Sequence, residues 1–222
     1  MATVKEFYNS FNFQEMVLGN KAGKPPPLLQ EFFQRDLDYI AEHFTAEKDV
    51  LEVGCGFGRL LPKLAERSKK VTGIDFSDLQ IAQAQETARN LKNVSLLKMC
   101  AESLEFPPAS FDISLCMNCS LGNMPDIEEK VVEEMIRVTK PGGEIVIRVF
   151  ADTKEVREAQ CQNYRRLGLT NIRDKGAAIV TGEGFYSRRF TESEMRALFQ
   201  KTEITPAITH DCEAGYLITA HT

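Results

Sequence analysis

Val50-Leu51-Glu52-Val53-Gly54-Cys55-Gly56-Phe57-Gly58-Arg59 is the stretch that decides the fold. Val50, Leu51 and Val53 have the apolar crowding of a strand buried on both faces of a parallel sheet. Gly54, Gly56 and Gly58 then make a turn too tight and too bare for side chains, since glycine takes unusual backbone angles and lets the main chain approach a ligand. Arg59-Leu60-Leu61-Pro62-Lys63-Leu64-Ala65-Glu66-Arg67 follows as an amphipathic helix. Pro62 falls in its first turn, where a backbone N–H has no partner to lose. Strand, glycine loop and helix N-terminus together form a site for an anionic or polar ligand. A βα turn with no ligand has no use for three alternating glycines, which weaken it.

The spacing argues against a dinucleotide. The pyrophosphate fingerprint needs glycine at the first, third and sixth positions of the loop. Here the sixth position is Arg59, and the third glycine comes one residue early. Lys70-Val71-Thr72-Gly73-Ile74-Asp75 supplies a second strand ending in an acid. It lies about twenty residues past the loop, where a carboxylate at the next strand's tip reaches ribose hydroxyls. Ser77-x-x-Gln80 then reads as a capping box that opens a helix.

The Gly-x-Gly-x-Gly loop after Leu-Glu-Val, with Asp75 at this distance, resembles motif I and the acidic strand end of class I S-adenosylmethionine-dependent methyltransferases. Ser110-Phe111-Asp112-Ile113 resembles motif IV of that family. The helix over 126–139 followed by Lys140-Pro141-Gly142-Gly143 and an apolar strand is another of its frequent features. The resemblance covers residues 45–150, with the C-terminal hairpin matching by pattern. It implies an α/β, Rossmann-like seven-stranded methyltransferase sheet, mostly parallel with an antiparallel C-terminal strand, and helices on both faces. It also implies S-adenosyl-L-methionine as cofactor, S-adenosyl-L-homocysteine as product, and no metal.

The same resemblance distributes the cofactor contacts. Glu52, Gly54, Cys55, Gly56, Gly58 and Arg59 hold the methionine end, and Asp75 accepts the ribose hydroxyls. Phe76 and Ser77 lie beside the adenine. Relatives often carry Asp-Ala after the third strand; here the acid position is Cys100, a poor acceptor, so adenine recognition falls to Ala101 and Glu102. Cys116, Met117 and Asn118, at the carboxyl end of a central strand, are expected to border the methionyl part and the methyl group.

Composition bounds the rest. With 222 residues, the chain suffices for one domain with a sizeable core. It divides into an N-terminal helical cap over 1–44, a cofactor-binding core over 45–150, an acceptor-side insertion over 151–190, and a final helix and hairpin over 191–222. A net charge of -5 argues against a broad nucleic-acid surface. No apolar run has the length of a membrane span, and the N-terminus lacks a secretory apolar region. Six cysteines without a framework pattern fit a reducing cytoplasm. Cys116-x-x-Cys119 lacks the second pair of a structural zinc site, so packing and pocket lining are expected of it. The expected partner is a small-molecule acceptor, on a monomer or homodimer.

In the cap, Phe7, Tyr8, Phe11 and Phe13 precede a break at Gly19, Gly23 and Pro25-Pro26-Pro27. Either Tyr8 or Phe11 lines an acceptor pocket, or the cluster is a packing staple. Leu29, Phe32, Phe33, Leu37 and Ile40 predict a helix over 28–44. Arg148 sits oddly in an apolar strand; it either binds an acceptor anion by its planar fork or pairs with a surface acid. In the insertion, Tyr186 is an acceptor-positioning candidate beside Tyr8, Asn118 and Arg148. At most one of Arg188 and Arg189 faces a pocket, because neighbours on a strand point oppositely. The reaction implied is in-line displacement of a methyl group, with amine or amino-acid derivatives as first acceptors and oxygen acceptors second. Two alternatives stand beside it: a nicotinamide-dependent reductase and a non-catalytic, cofactor-binding regulatory subunit.

Overall fold

The computed structural model describes residues 3–18 and 22–222. Gly19, expected to break the N-terminal pattern, lies outside the described residues. The cap forms α1 (Val4–Tyr8), α2 (Phe13–Leu18) and α3 (Pro27–His43). The core then alternates β1 (Asp49–Val53), α4 (Leu61–Arg67), β2 (Lys70–Asp75), α5 (Asp78–Thr87), β3 (Val94–Lys98), β4 (Phe111–Cys116), α6 (Glu128–Val138) and β5 (Thr139–Phe150). The insertion holds α7 (Lys154–Arg166), β6 (Arg173–Lys175), β7 (Ala178–Val180) and β8 (Tyr186–Arg188). The chain closes with α8 (Glu192–Ala197), β9 (Ala207–Cys212) and β10 (Gly215–His221).

Seven strands pair in the order β3-β2-β1-β4-β5-β10-β9, and β6, β7 and β8 make a separate antiparallel sheet. Within the large sheet, β10 runs antiparallel to both neighbours and every other pairing is parallel. The strand order reverses between β1 and β4, and in open α/β sheets ligands bind at the carboxyl ends of such strands. Burial follows the two-residue period of a strand. Leu51 and Val53 enter one apolar cluster with Ile145, Ile147 and Val149, whereas Val50 enters another with Leu61, Leu64 and Val71.

Boundaries depart from expectation where particular groups intervene. Helix α4 starts at Leu61, not Arg59, because Gly58 at φ 85 prolongs the turn. Helix α5 ends at Thr87, and the residues after it wind more tightly, with the Leu91 N–H donating to the Ala88 carbonyl at 2.8 Å. Strand β9 starts at Ala207, since Pro206 has no N–H for a ladder. The box at Ser77 is half formed: Ser77 Oγ accepts the Gln80 N–H at 3.2 Å, but the Gln80 amide donates to the Phe11 carbonyl. The box at Thr191 and Glu194 is complete.

Candidate active site

Backbone geometry builds the first wall. Gly54, Gly56 and Gly58 all have positive φ, at 72, 54 and 85°. A Cβ on Gly58 would fall 2.6 Å from Leu61 Cδ1, so this glycine packs the turn. A Cβ on Gly56 would meet nothing nearer than Gln80 Oε1 at 3.7 Å, because that residue borders open space. Ser120 Oγ donates to the Gly54 carbonyl at 3.0 Å and ties the loop after β4 to the glycine loop.

Two carboxylates stand at the tips of adjacent strands. Asp75 Oδ2 accepts the Gly56 N–H and Oδ1 accepts the Ser77 N–H, both at 3.0 Å. Burial raises its pKa, against the lowering effect of these backbone donors. Glu52 is 4% exposed, and its Oε2 is buried with no hydrogen-bond partner. Burial pushes its pKa up to about 8; nearby Arg59 lowers it, whereas Asp36 and Asp75 raise it further.

Both acids line a cavity of about 600 Å³. Gly54, Cys55, Gly56, Arg59 and Phe76 share this lining. So do Ala101, Glu102 and Met117. Three expected cofactor contacts do not. Gly58 lies within the turn, and the Cys116 side chain enters the core cluster. Ser77 is fully buried, its hydroxyl donating to the Tyr8 carbonyl at 2.7 Å.

The far half of the cavity is built by the cap and the insertion. Tyr8 and Phe13 come from the cap, Asn118 from the loop after β4, and Asn163, Tyr164 and Ser187 from the insertion. The cap cluster also staples: Phe7 stacks on Phe11 at 5.0 Å and meets Phe185 edge-on at 5.3 Å. Tyr8 lines the cavity and Phe11 does not. The Tyr8 hydroxyl is buried without a well-aligned partner, beside Asn123, and burial lifts its pKa well above the usual phenol range. Asn118 and Cys119 are consecutive left-handed residues at φ 55 and 62°. Asparagine visits this region readily; for cysteine it is strain, of a kind that collects at functional sites.

Arg148 and Tyr186 do not reach the cavity. Arg148 is fully buried, neither at a pocket nor at the surface. It grips Asp211 with two hydrogen bonds of 2.7 and 2.8 Å and stands 3.0 Å from Asp36. Tyr186 precedes Ser187 on β8 and faces the other way. Arg188 pairs with Glu128 and Glu194, and Arg189 is buried against Asp152 and Gln160. Neither arginine lines the cavity, because each is neutralised by carboxylates of the protein. Cys116 and Cys119 are buried free thiols, the first pushed up to about 12 by burial, which leaves neither activated.

Sequence reading passed over Asn163, Tyr164, Arg166 and Ser187 as site residues. Helical spacing offered one signal: Asn163, Arg166 and Leu167 share a face of α7, and all three line the cavity.

A sheet of this order, with a glycine loop and an acid at successive strand tips, defines the class I methyltransferase fold. Residues 50–143 match the family of methyltransferase domains. A ubiquinone biosynthesis O-methyltransferase of Pseudomonas fluorescens (strain Pf0-1) is 38% identical over 102 residues, covering 45% of this chain and 43% of that protein. A phosphatidylethanolamine N-methyltransferase of Cereibacter sphaeroides is 44% identical over 101 residues, covering 44% and 48%. The chain spans about half the length of the curated relatives it matches. The crystal structure of a SAM-dependent methyltransferase from Aquifex aeolicus superposes with a TM-score of 0.65 at 21% identity, over 95% of this chain and 98% of that one. The match over residues 50–143 and the order of the sheet give the core the fold of class I S-adenosylmethionine-dependent methyltransferases, which sets the reductase alternative aside. Among the described residues no helix is long and apolar enough to cross a membrane.

Proposed function

We propose that this chain binds S-adenosyl-L-methionine and catalyses methyl transfer to a small molecule held under the cap. The observation that carries this reading is one continuous cavity, which joins the glycine loop, Glu52 and Asp75 to the chamber between cap and insertion. The residues fit the cofactor. The unpartnered Glu52 oxygen suits an ammonium group, Asp75 suits ribose hydroxyls, and Ala101 and Glu102 offer backbone groups to adenine. When bound, the cofactor supplies a methyl group already activated on a sulfonium.

The chain then has to align the acceptor and exclude water, and alignment alone supplies much of the rate. Its own side chains offer no strong base. Among the described residues no histidine lines the cavity, and burial raises the pKa values of Tyr8, Tyr164 and Cys119, which keeps them protonated. Tyr8 and Asn118 therefore position the acceptor by donating hydrogen bonds. The acceptor must arrive with its lone pair free, as an unprotonated amine or an ionised oxygen acid does.

The test is calorimetric titration with S-adenosylhomocysteine beside NAD(H), followed by methyl-labelled cofactor with small amines, phenols and carboxylates. Binding of S-adenosylhomocysteine alone, with labelled product from a panel member, is expected. Binding without turnover would favour the regulatory alternative, and no binding would remove the reading.

Glu52 adds a pH signature. A folded pKa of about 8 keeps this acid largely protonated at neutral pH in the free protein. The carboxylate forms when a cation arrives, so binding releases a proton near pH 7. The accompanying stability term has a definite sign. With its pKa raised on folding, Glu52 contributes stability fully present below the unfolded value and lost as pH rises through about 8. Glu52→Gln should therefore abolish the proton release, read by calorimetry in buffers of different ionisation enthalpy. It should also flatten the decline in thermal stability towards pH 8. An unchanged proton count in the variant would refute the role.

A further inference from the structure

The cavity is divided by charge. Its lining contains three acids, Glu52, Asp75 and Glu102, all from the loops that follow β1, β2 and β3 or the strand ends themselves. Among the described residues, the half walled by the cap and the insertion contains no acid and two cations, Lys5 on α1 and Arg166 on α7. The third cation of the lining, Arg59, is already neutralised by Asp36.

Arg166 is held, but by neutral groups. Its Nε and one terminal nitrogen donate to Asn163 Oδ1 at 3.0 and 2.8 Å, and the other terminal nitrogen donates to the Gly23 carbonyl at 2.6 Å. A guanidinium has five N–H donors, so two are left without a protein acceptor. Asn163 is itself 5% exposed, which fixes the fork in place. No carboxylate of the described residues pairs with Arg166, and burial lowers its pKa with no counter-charge to oppose that. Position at the last turn of α7 explains a cation there, but the exposed Arg165 already meets that need. Lys5 is likewise without an ion-pair partner among the described residues. The remaining walls are largely aromatic and aliphatic, with Phe13, Phe33, Phe150, Phe185 and Leu167.

We infer that the acceptor is a small apolar or aromatic molecule bearing a carboxylate, which the free edge of the Arg166 guanidinium receives and Lys5 attracts at the rim. The planar fork matches a carboxylate bidentately, and the apolar walls take the body. The inference rests on the methyl-transfer reading and names the substrate class of that same site. Arg166 is a specificity-determining residue here; it takes no part in moving protons.

The test uses the full chain saturated with S-adenosylhomocysteine and a set of aromatic and aliphatic carboxylates, 2-naphthoate among them, each paired with its neutral amide. Calorimetry should find acids bound at least about tenfold more tightly than their amides, the worth of one desolvated charge-assisted pair. Arg166→Gln should erase the preference while S-adenosylhomocysteine affinity and the thermal transition stay put. Lys5→Gln, at an exposed site that cannot disturb folding, should weaken the acids alone and less strongly. Equal affinity for acid and amide, a preference that survives in folded Arg166→Gln, or binding of no acid in the set overturns the inference and leaves the cofactor reading standing. Failure of S-adenosylhomocysteine itself to bind overturns both.

Discussion

Asp36→Ala should lower the unfolding free energy by about 3–5 kcal/mol, the usual result of leaving a buried charge uncompensated. Asp36 is fully buried on α3 between two arginines. Arg59 reaches one carboxylate oxygen from the glycine loop, and Arg148 Nε stands 3.0 Å from the other, close though not aligned as a hydrogen bond. Burial raises the Asp36 pKa despite both cations, which shows how unfavourable the environment is for charge. Removing the acid strands Arg148, whose remaining partner is Asp211. Folded domains of this kind hold only about 5–15 kcal/mol in total, so the loss is a large share. Asp36→Leu combined with Arg148→Met should be less damaging than Asp36→Ala alone, because it removes the two fully buried charges together and leaves only the partly exposed Arg59 and Asp211. Urea unfolding of the three proteins decides. A single variant within about 1 kcal/mol of the parent would show that the network is solvated or dispensable.

Asp75→Ala and Gly56→Val should each weaken S-adenosylhomocysteine binding at least about tenfold, since bonds to a charged acceptor are worth roughly 1.5–3 kcal/mol. Asp75 lies at the cavity with both oxygens held by backbone N–H groups, so its position is fixed before any ligand arrives. The alanine loses the expected ribose bonds and frees the Gly56 N–H together. At Gly56 the reason is different. Its φ of 54° disfavours any side chain, and a valine's methyls would project into the cavity rather than into packed atoms. Calorimetry gives the affinities, and far-ultraviolet circular dichroism checks the fold. Unchanged affinity in both folded variants would dissociate the cofactor from this loop.

The alternating core was legible because its signals are local. Apolar strands, a glycine loop and an acid at a strand tip occur within about thirty residues, and the family they resemble implied a seven-stranded, mostly parallel sheet. Arg148 was misread for the opposite reason. Its partners, Asp36 and Asp211, lie far away in sequence and meet it only in the folded chain. One trace was nevertheless present: Asp36 falls on the apolar stripe that carries Leu29, Phe32, Phe33 and Ile40. An acid on that stripe needs a buried cation, and Arg148 was the apolar strand's unexplained one. The insertion was harder, because short strands around glycine turns do not say which face covers the cavity. Tyr186 and Ser187 differ by one residue, and that single step exchanges wall for exterior.

The cap is suspended from α5 largely by side chains. Ser77 Oγ holds the Tyr8 carbonyl, the Asp78 N–H holds Asn9 Oδ1 at 3.1 Å, Gln80 holds the Phe11 carbonyl, and Gln83 holds Asn12 Oδ1 at 2.7 Å. None of these is a backbone-to-backbone bond, so each can be exchanged for water separately, without unravelling a ladder. The segment can thus peel in stages from the rim inward, and the helix it peels from is the one that follows Asp75. If departure of a ligand limits turnover, exchanging Gln83 should change the rate although it does not line the cavity, whereas Gln80 both clasps the cap and lines the cavity.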